Sequence, residues 1–189
     1  MKRYILAAAL FLVSLCFADT LSAGNFGVTG GANFRTYNLK DVGSKTLTQW
    51  NAGLVYKCNL PLGFQVHPTL LYSVKAGTLE VAPVDLSVGY LELAASAQWG
   101  PDLILFRPYI EVCPFVGYGL NGWGDIPSTW RTPERLEYGV GLGGGLQVWQ
   151  FQLAARYNWA LTDKTVHNAD FSGVTLSLTY FFGNNQKKK

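Results

Sequence analysis

Polar and apolar residues alternate along segments of about ten residues through most of this 189-residue chain, a length typical of transmembrane β-strands. The clearest case is 174–180, where valine, leucine and tyrosine alternate with threonine and serine; 50–57, 136–148 and 151–161 follow the same pattern. Successive side chains of a strand point to opposite faces, so a period of two predicts strands with one apolar and one polar face. Beyond the N-terminal region, no apolar run approaches the ~20 residues that a membrane-spanning helix needs.

Applied to the whole chain, the alternation predicts eight strands, at 24–37, 47–60, 63–77, 87–100, 103–120, 134–149, 151–162 and 171–182. The predicted connections at 61–62, 101–102 and 150 are short. Those at 38–46, 78–86, 121–133 and 163–170 are long and polar. Short and long connections therefore alternate without exception, as expected for a membrane barrel with short periplasmic turns and long external loops. The predicted fold is all-β: one eight-stranded, antiparallel, up-and-down transmembrane β-barrel, spanning 24–183.

Composition agrees with this class and argues against others. Charged residues make up 14% of the chain, aromatic residues another 14%, and glycine occurs 21 times, which is unlike a disordered chain or a soluble helical domain. The net charge of +3 owes much to three C-terminal lysines in a polar tail at 184–189, which is predicted to be solvated. No basic face is present, so a nucleic-acid partner is not expected.

The N-terminal residues resemble an export signal. Lys2 and Arg3 precede an apolar stretch at 4–17, and the small residues Ser22 and Ala23 follow. We predict a cleaved signal peptide at 1–23 and a location in the outer membrane of a Gram-negative bacterium. The alternative, a membrane anchor, is disfavoured because the apolar stretch is too short to span a bilayer.

The polar stripe of the predicted strands carries charges of both signs, which are expected to pair inside a narrow barrel because an unpaired buried charge is costly. This predicted lumen charge network consists of Arg35, Lys57, Lys75, Glu92, Arg107, Glu111, Glu137 and Arg156. Glycines on the inner face of 134–149 leave room for these long side chains. Because side chains fill the interior of barrels of this size, a general diffusion pore is not expected.

Two pairs of residues need separate comment. Pro108 and Pro114 fall on the outward stripe of 103–120, where proline removes a ladder donor. Either they mark bulges or that strand consists of two pieces.

Cys58 and Cys113 are predicted to lie on opposite faces, so no disulfide is expected between them.

Catalytic and metal-binding patterns are weak. His67 lies on the inward stripe, where a place in the polar network is the simpler interpretation. His167 lies in a long polar segment near Asp170 and Ser172, residue types that also serve turns. Two distant histidines without paired cysteines make a poor metal site. We therefore predict no catalytic residue, no cofactor and no metal.

The segment 121–133 is the best candidate for recognition of a protein partner, since exposed tryptophan and arginine are common in binding hot spots. The residues concerned are Trp123, Asp125, Trp130 and Arg131. The alternative is that both tryptophans rest on the rim of the barrel, where aromatic side chains favour the membrane interface.

Seven stretches resemble the PorT-like family of outer-membrane β-barrel proteins. In order they are FGVTGGAN (26–33), LLYSVKAG (70–77), YLEL (90–93), PFVGYG (114–119), YGVGLGGG (138–145), LAARYNWAL (153–161) and LTYFF (178–182). The resemblance implies an eight-stranded barrel in the outer membrane. It carries over no catalytic residue, and members of the family differ in function, some being linked to the secretion of other proteins.

The predicted function is that of an integral outer-membrane barrel, surrounded by lipid, with a structural, binding or secretion-associated role. One alternative is an outer-membrane enzyme that acts on lipid or peptide. The other is a soluble ligand-binding barrel of the lipocalin type, which would place the apolar stripe inside and the polar stripe outside.

Overall fold

The computed structural model describes residues 26–39, 43–78, 85–123, 135–161 and 172–182, and the side chains of all of these except 35–39, 43–47, 76–78, 85–87 and 123. The strands in these segments are β1 (Phe26–Leu39), β2 (Gly43–Tyr56), β3 (Cys58–Asn59), β4 (Phe64–Thr78), β5 (Asp85–Trp99), β6 (Arg107–Trp123), β7 (Leu136–Val148), β8 (Phe151–Ala160) and β9 (Gly173–Phe181). β2 and β3 are two parts of one barrel strand, interrupted at Lys57. A single 3-10 turn, Pro61–Gly63, leads from β3 into β4.

Each barrel strand pairs antiparallel with its neighbours in chain order, and β1 also pairs with β9, from Gly27–Phe181 to Phe34–Val174. The sheet therefore closes on itself as an eight-stranded antiparallel barrel, which confirms the predicted fold. Closure matters in lipid, because an open sheet edge would leave backbone donors and acceptors unpaired.

The two faces of the sheet differ as predicted. Exposed apolar side chains cover the outside, including those of Leu54, Leu93, Leu153 and Leu178. Buried polar and charged side chains face the interior, among them Asn33, Asn51, Ser73, Lys75, Glu92, Ser96, Gln98, Glu111, Glu137, Gln152 and Thr175. This polarity contradicts the lipocalin-type alternative, which requires an apolar interior.

Two predicted connections are wrong in length. The β5–β6 connection spans 100–106 instead of 101–102, because β6 begins at Arg107. The β1–β2 connection spans only 40–42 instead of 38–46, because the pairing continues out to Leu39–Gly43. Polar residues can continue a strand beyond the membrane, where water satisfies both faces, so polarity alone does not mark the strand end. Short and long connections therefore do not alternate without exception.

The prolines lie within one continuous strand, β6. Pro108 pairs with Leu146 and Pro114 with Val140 of β7. The pairing of β6 with β5 has a gap between Ala94–Phe115 and Ala97–Val112, the stretch that contains Pro114 and its missing N–H donor. A separate register shift occurs between Gly89 and Tyr90, at a distance from either proline. The strand is therefore not divided in two.

Two further observations concern the described segments. Cys58 and Cys113 are buried and carry free thiols, so the prediction that they form no disulfide is confirmed. None of the described segments contains a helix long and apolar enough to cross a membrane.

Candidate functional site

The barrel interior is the best-defined polar site, and its first cluster is centred on Lys75. The Lys75 ammonium group on β4 forms ion pairs with Glu92 on β5 and with Glu137 on β7, the second at 2.8 Å. The rings of Tyr90 and Phe115 each lie 5.0 Å from the Lys75 Nζ. Lys75 and Glu137 come from strands that do not pair with each other, so this cluster bridges the lumen.

A second cluster surrounds Glu111 on β6. Ser96 donates a hydrogen bond to Glu111 Oε2 at 2.5 Å, and Gln98 donates to the same oxygen at 3.2 Å. The Arg156 Nε lies 3.6 Å from Glu111 Oε1. Glu111 is buried and Arg156 is largely shielded from solvent, so the carboxylate depends on Arg156 and on neutral hydrogen-bonding partners for its solvation.

Neutral side chains join the remaining strands through Asn33. Asn33 donates to the Ser73 hydroxyl at 3.0 Å and accepts hydrogen bonds from Asn51 at 3.1 Å and from Thr175 at 2.8 Å. Asn158 in turn donates to Thr175 at 2.8 Å. Because Asn33 bonds to side chains of β2, β4 and β9, it ties four strands together around one amide.

The third charged cluster lies at the end of the barrel that carries the connections 60–63, 100–106 and 149–150, here named the short-turn end. Arg107 donates to the Gly63 carbonyl oxygen at 2.9 Å and to the Gln98 side chain at 3.4 Å, and its Nε lies 3.5 Å from Asp102 Oδ1. The guanidinium also lies over the Tyr109 ring, at 5.6 Å. Arg107 thereby fastens two neighbouring connections to each other.

Lys57 and His67 complete this end of the lumen. The Lys57 ammonium group lies 4.6 Å from the centre of the Phe181 ring, and the His67 ring meets the same ring edge-on at 5.5 Å. The His67 Nε2 is 3.2 Å from the Gln65 side-chain oxygen. His67 is thus held by an amide and an aromatic ring, not by the carboxylate and hydroxyl of a catalytic triad.

The space left between these clusters is a cavity of about 60 Å³, lined mainly by polar side chains from every barrel strand except β7. That volume accommodates roughly four water molecules. No group of three histidine, cysteine or acidic side chains that could bind a metal ion occurs among the described residues.

The structure places seven members of the predicted charge network in the interior. Lys75, Glu92 and Glu137 meet in the first cluster and Glu111 and Arg156 in the second, whereas Lys57 and Arg107 lie at the short-turn end. The side chain of Arg35 lies outside the described residues. So do the Trp123 side chain and Asp125, Trp130 and Arg131, the predicted recognition residues, together with His167.

Sequence reasoning missed Asp102, Ser96, Gln98 and Asn33. The last three lie on the polar stripe of their strands and carry buried amide or hydroxyl groups. Their inward position follows from the alternation, but a neutral side chain lacks the charge that marks a member of an ion-pair network. The sequence predicts Asp102 in a two-residue turn, whereas its contact with Arg107 depends on the longer connection in the structure.

The barrel is a closed sheet with an apolar exterior and a filled, polar interior. Comparison with protein families gives a matching result. The model of the outer membrane protein β-barrel domain matches residues 5–182. The chain belongs to this family. Membership assigns it to the integral proteins of the bacterial outer membrane, whereas the narrower PorT-like family is not confirmed.

Among the solved structures to which the chain is similar, that of NspA supports the fold. The barrel is similar to Neisserial surface protein A, NspA, with 15% sequence identity over 84% of this chain and 97% of that one, and a TM-score of 0.54. Ail, the attachment invasion locus protein of Yersinia pestis, is 14% identical over 84% of this chain and 99% of its own, with a TM-score of 0.44. The N-terminal β-barrel domain of Pseudomonas aeruginosa OprF is 12% identical over 84% of this chain and 98% of its own, with a TM-score of 0.39. A search of curated protein sequences found no match.

Proposed function

We propose that this protein is a non-conducting, non-catalytic scaffold of the outer membrane that presents its long connections for recognition of a partner outside the cell. The observation that carries the proposal is the bridge across the lumen, in which Lys75 is paired with both Glu92 and Glu137. A side chain that forms an ion pair across the interior, with Glu137, and a second one with Glu92 on the neighbouring strand occupies the path that a solute would take.

Packing of the lumen supports the absence of conduction. The interior cavity measures about 60 Å³, and the second cluster, with Glu111 and Arg156, lies farther along the lumen. Interiors of eight-stranded barrels are just wide enough for side chains to fill. Opening a path would separate buried charges from their partners, which costs several kcal/mol.

The same contacts support the absence of catalysis. A hydrolase needs a nucleophile within hydrogen-bond reach of an oriented base. His67, the described histidine, contacts Gln65 and Phe181, and the buried carboxylates of Glu92, Glu111 and Glu137 are engaged by lysine, arginine or neutral donors. These groups stabilise one another and are not arranged around an open substrate site.

Recognition is assigned to the last residue of β6 and to the segment that follows it. Trp123, Asp125, Trp130 and Arg131 combine large aromatic surface with both signs of charge, the composition of a binding hot spot. The proposal also includes three further features. The chain is related to the PorT-like family, it is exported by a cleaved signal peptide at 1–23, and its tail at 184–189 is solvated. A role beside a secretion machine is the form that the PorT-like resemblance favours.

Conduction is tested first, in a voltage-clamped planar bilayer. The purified wild-type barrel is expected to give no stepwise current, whether or not a potential is applied across the membrane. Reproducible current steps from the folded protein would overturn the closed-lumen scaffold. A parallel assay for fatty acid released from phospholipid vesicles is expected to stay at background, and release that grows with protein concentration would favour the enzyme.

Recognition is tested with a photo-crosslinking amino acid placed at Trp130 in intact cells. The matched control carries the same amino acid at Trp99, a lipid-facing position on the barrel wall. The proposal predicts a discrete protein adduct from position 130 that is missing from position 99. Equal patterns at the two positions, or lipid adducts alone, would contradict recognition through this segment.

A further inference from the structure

Each connection at the short-turn end displays a large apolar side chain. Leu62 is 86% exposed, Ile104 is fully exposed, and Trp149 is 74% exposed. Leu105 and Phe182, at the same end, are 67% and 59% exposed. Turns in water are built mostly from glycine, proline, asparagine, aspartate and serine, so an apolar residue at the tip of every described turn is unusual.

Two of these residues occupy a backbone conformation that disfavours them. Leu62 has φ of 63° and Trp149 has φ of 52°, both in the left-handed region. Glycine or asparagine adopts this region readily, whereas bulky side chains are strained there. Backbone strain at a surface position is a sign of function when another residue type would relieve it. Leu62 and Trp149 keep this strained backbone conformation and expose large apolar side chains.

The connection 100–106 holds its apolar tip, Ile104 and Leu105, away from the barrel. The Leu103 N–H donates to the Phe106 carbonyl oxygen at 3.1 Å, which brackets Ile104 and Leu105 at the tip. At the base, Arg107 contacts Asp102 and thereby ties the connection to the barrel. The projection is therefore an anchored turn, and its two tip residues make little contact with the rest of the protein.

The distribution of these residues identifies what they contact. Leu62 lies between β3 and β4, and Ile104 lies between β5 and β6. Trp149 lies between β7 and β8, and Phe182 follows β9, where its N–H donates to the Phe26 carbonyl oxygen at 2.8 Å. They therefore surround the whole barrel. A protein partner would cover one sector of this circle, whereas a lipid leaflet surrounds all of it.

Charge and continuity favour lipid as well. Among the described residues of the short-turn end, Lys57 and Arg107 are buried and Asp102 is the one charged side chain with substantial exposure. Water-facing surfaces of proteins normally carry many more charges. The exposed rings of Phe64 and Trp99 continue the apolar surface from the turns onto the barrel wall, in the manner of an interfacial aromatic belt.

We propose that these residues, named here the apolar rim (Leu62, Ile104, Leu105, Trp149 and Phe182), insert into the phospholipid leaflet that surrounds the short-turn end. The rim lies at the boundary between acyl chains and headgroups and sets the depth of the barrel in the bilayer. This end of the protein is thus a lipid-binding surface and does not project into water. The inference does not depend on what the long connections recognise.

The test places an environment-sensitive NBD fluorophore at the rim in lipid nanodiscs, where both faces are open to solvent. I104C is labelled after folding, so that buried Cys58 and Cys113 are protected, and unsubstituted protein measures background labelling. The control label is on N121C, at an exposed position at the opposite end. Heat-dependent migration on detergent gels confirms that both variants are folded before they are compared.

The label at 104 is expected to be quenched by spin-labelled phospholipid and protected from iodide, while the label at 121 shows the reverse. Equal iodide quenching at both positions would overturn lipid insertion and leave the rim as a surface for a periplasmic protein.

A second variant tests whether the rim acts collectively. L62N together with W149N replaces two rim residues with asparagine, which tolerates the positive φ. The label at 104 is then expected to lose part of its protection from iodide. Unchanged protection would show that Ile104 inserts independently of the other turns, and would overturn the collective rim.

Discussion

The side chain of Arg156 lies across Gly141 on the inner face of the barrel: a Cβ at Gly141 would collide with Asn158 Oδ1 and would lie 2.5 Å from Arg156 Cδ and 2.9 Å from its Cγ. The glycine therefore provides space on β7 through which Arg156, on β8, reaches Glu111 on β6. This role agrees with the predicted function of the glycines in β7, which was to make room for long inward side chains.

Substitution of Gly141 is expected to act through this ion pair. G141A should displace Arg156 and lower the free energy of unfolding by about 1–3 kcal/mol, as overpacking of interiors does. Urea unfolding of the barrel in lipid vesicles measures the loss. Combined with E111Q, the effect of G141A should shrink, because the pair is already broken. Additive effects of the two substitutions would show that Gly141 matters for another reason.

Removal of the cation at the lumen bridge should destabilise the barrel more strongly. K75M leaves the buried carboxylates of Glu92 and Glu137 without their lysine, and loss of one partner of a buried pair costs about 3–5 kcal/mol. The same urea titration measures it. K75M/E92Q/E137Q, which removes all three charges, should recover much of the stability. A K75M barrel as stable as the wild type would contradict the importance of the bridge.

Gly53 is expected to be intolerant of any side chain. A Cβ there would collide with the backbone carbonyl oxygen of Leu70 on the neighbouring strand, β4, and a backbone atom cannot move aside as a flexible side chain can. G53A should therefore sharply reduce the yield of folded barrel on heat-shift gels. Gly30 is the control, since its nearest contact, the Asn51 carbonyl oxygen, is 3.7 Å away and G30A should fold normally.

A charge on the lipid-facing side should be costly near the middle of a strand. Leu176 is exposed on β9 opposite Ala155 of β8. L176R is expected to destabilise the inserted barrel by about 2–4 kcal/mol, the cost of arginine near the bilayer midplane. L176M preserves an apolar side chain and serves as the control. Indistinguishable stabilities of these two variants in vesicles would argue against lipid contact at this position.

The strands, their faces and the closed sheet could be predicted because lipid outside and a packed interior inside constrain alternate residues along every strand. The start of β6 could not be predicted in the same way. Residues 103–106 are Leu-Ile-Leu-Phe, which continues an apolar strand pattern although these residues form a turn. An apolar turn in contact with lipid lacks the polar signal by which turns in water are recognised.

The partners inside the lumen were only partly predictable. Alternation identified Lys75 and Glu137 as inward residues, but whether they meet depends on the tilt and stagger of the strands between them. The sequence of a single strand does not determine the tilt and stagger of the barrel strands. The same limitation applies to Asn33, whose bonds to Ser73 and Thr175 come from residues 40 or more positions away.

The pairing of β1 with β9 has a consequence for biogenesis. Until the final strand is in place, β1 presents an open edge along Gly27–Phe34 while the apolar faces of the other strands are already formed. Such an intermediate can neither remain in water without risk of aggregation nor enter lipid with unpaired backbone groups. Closure and insertion must therefore be coupled, and the cell has to keep the exported chain from self-association until its two most distant strands meet.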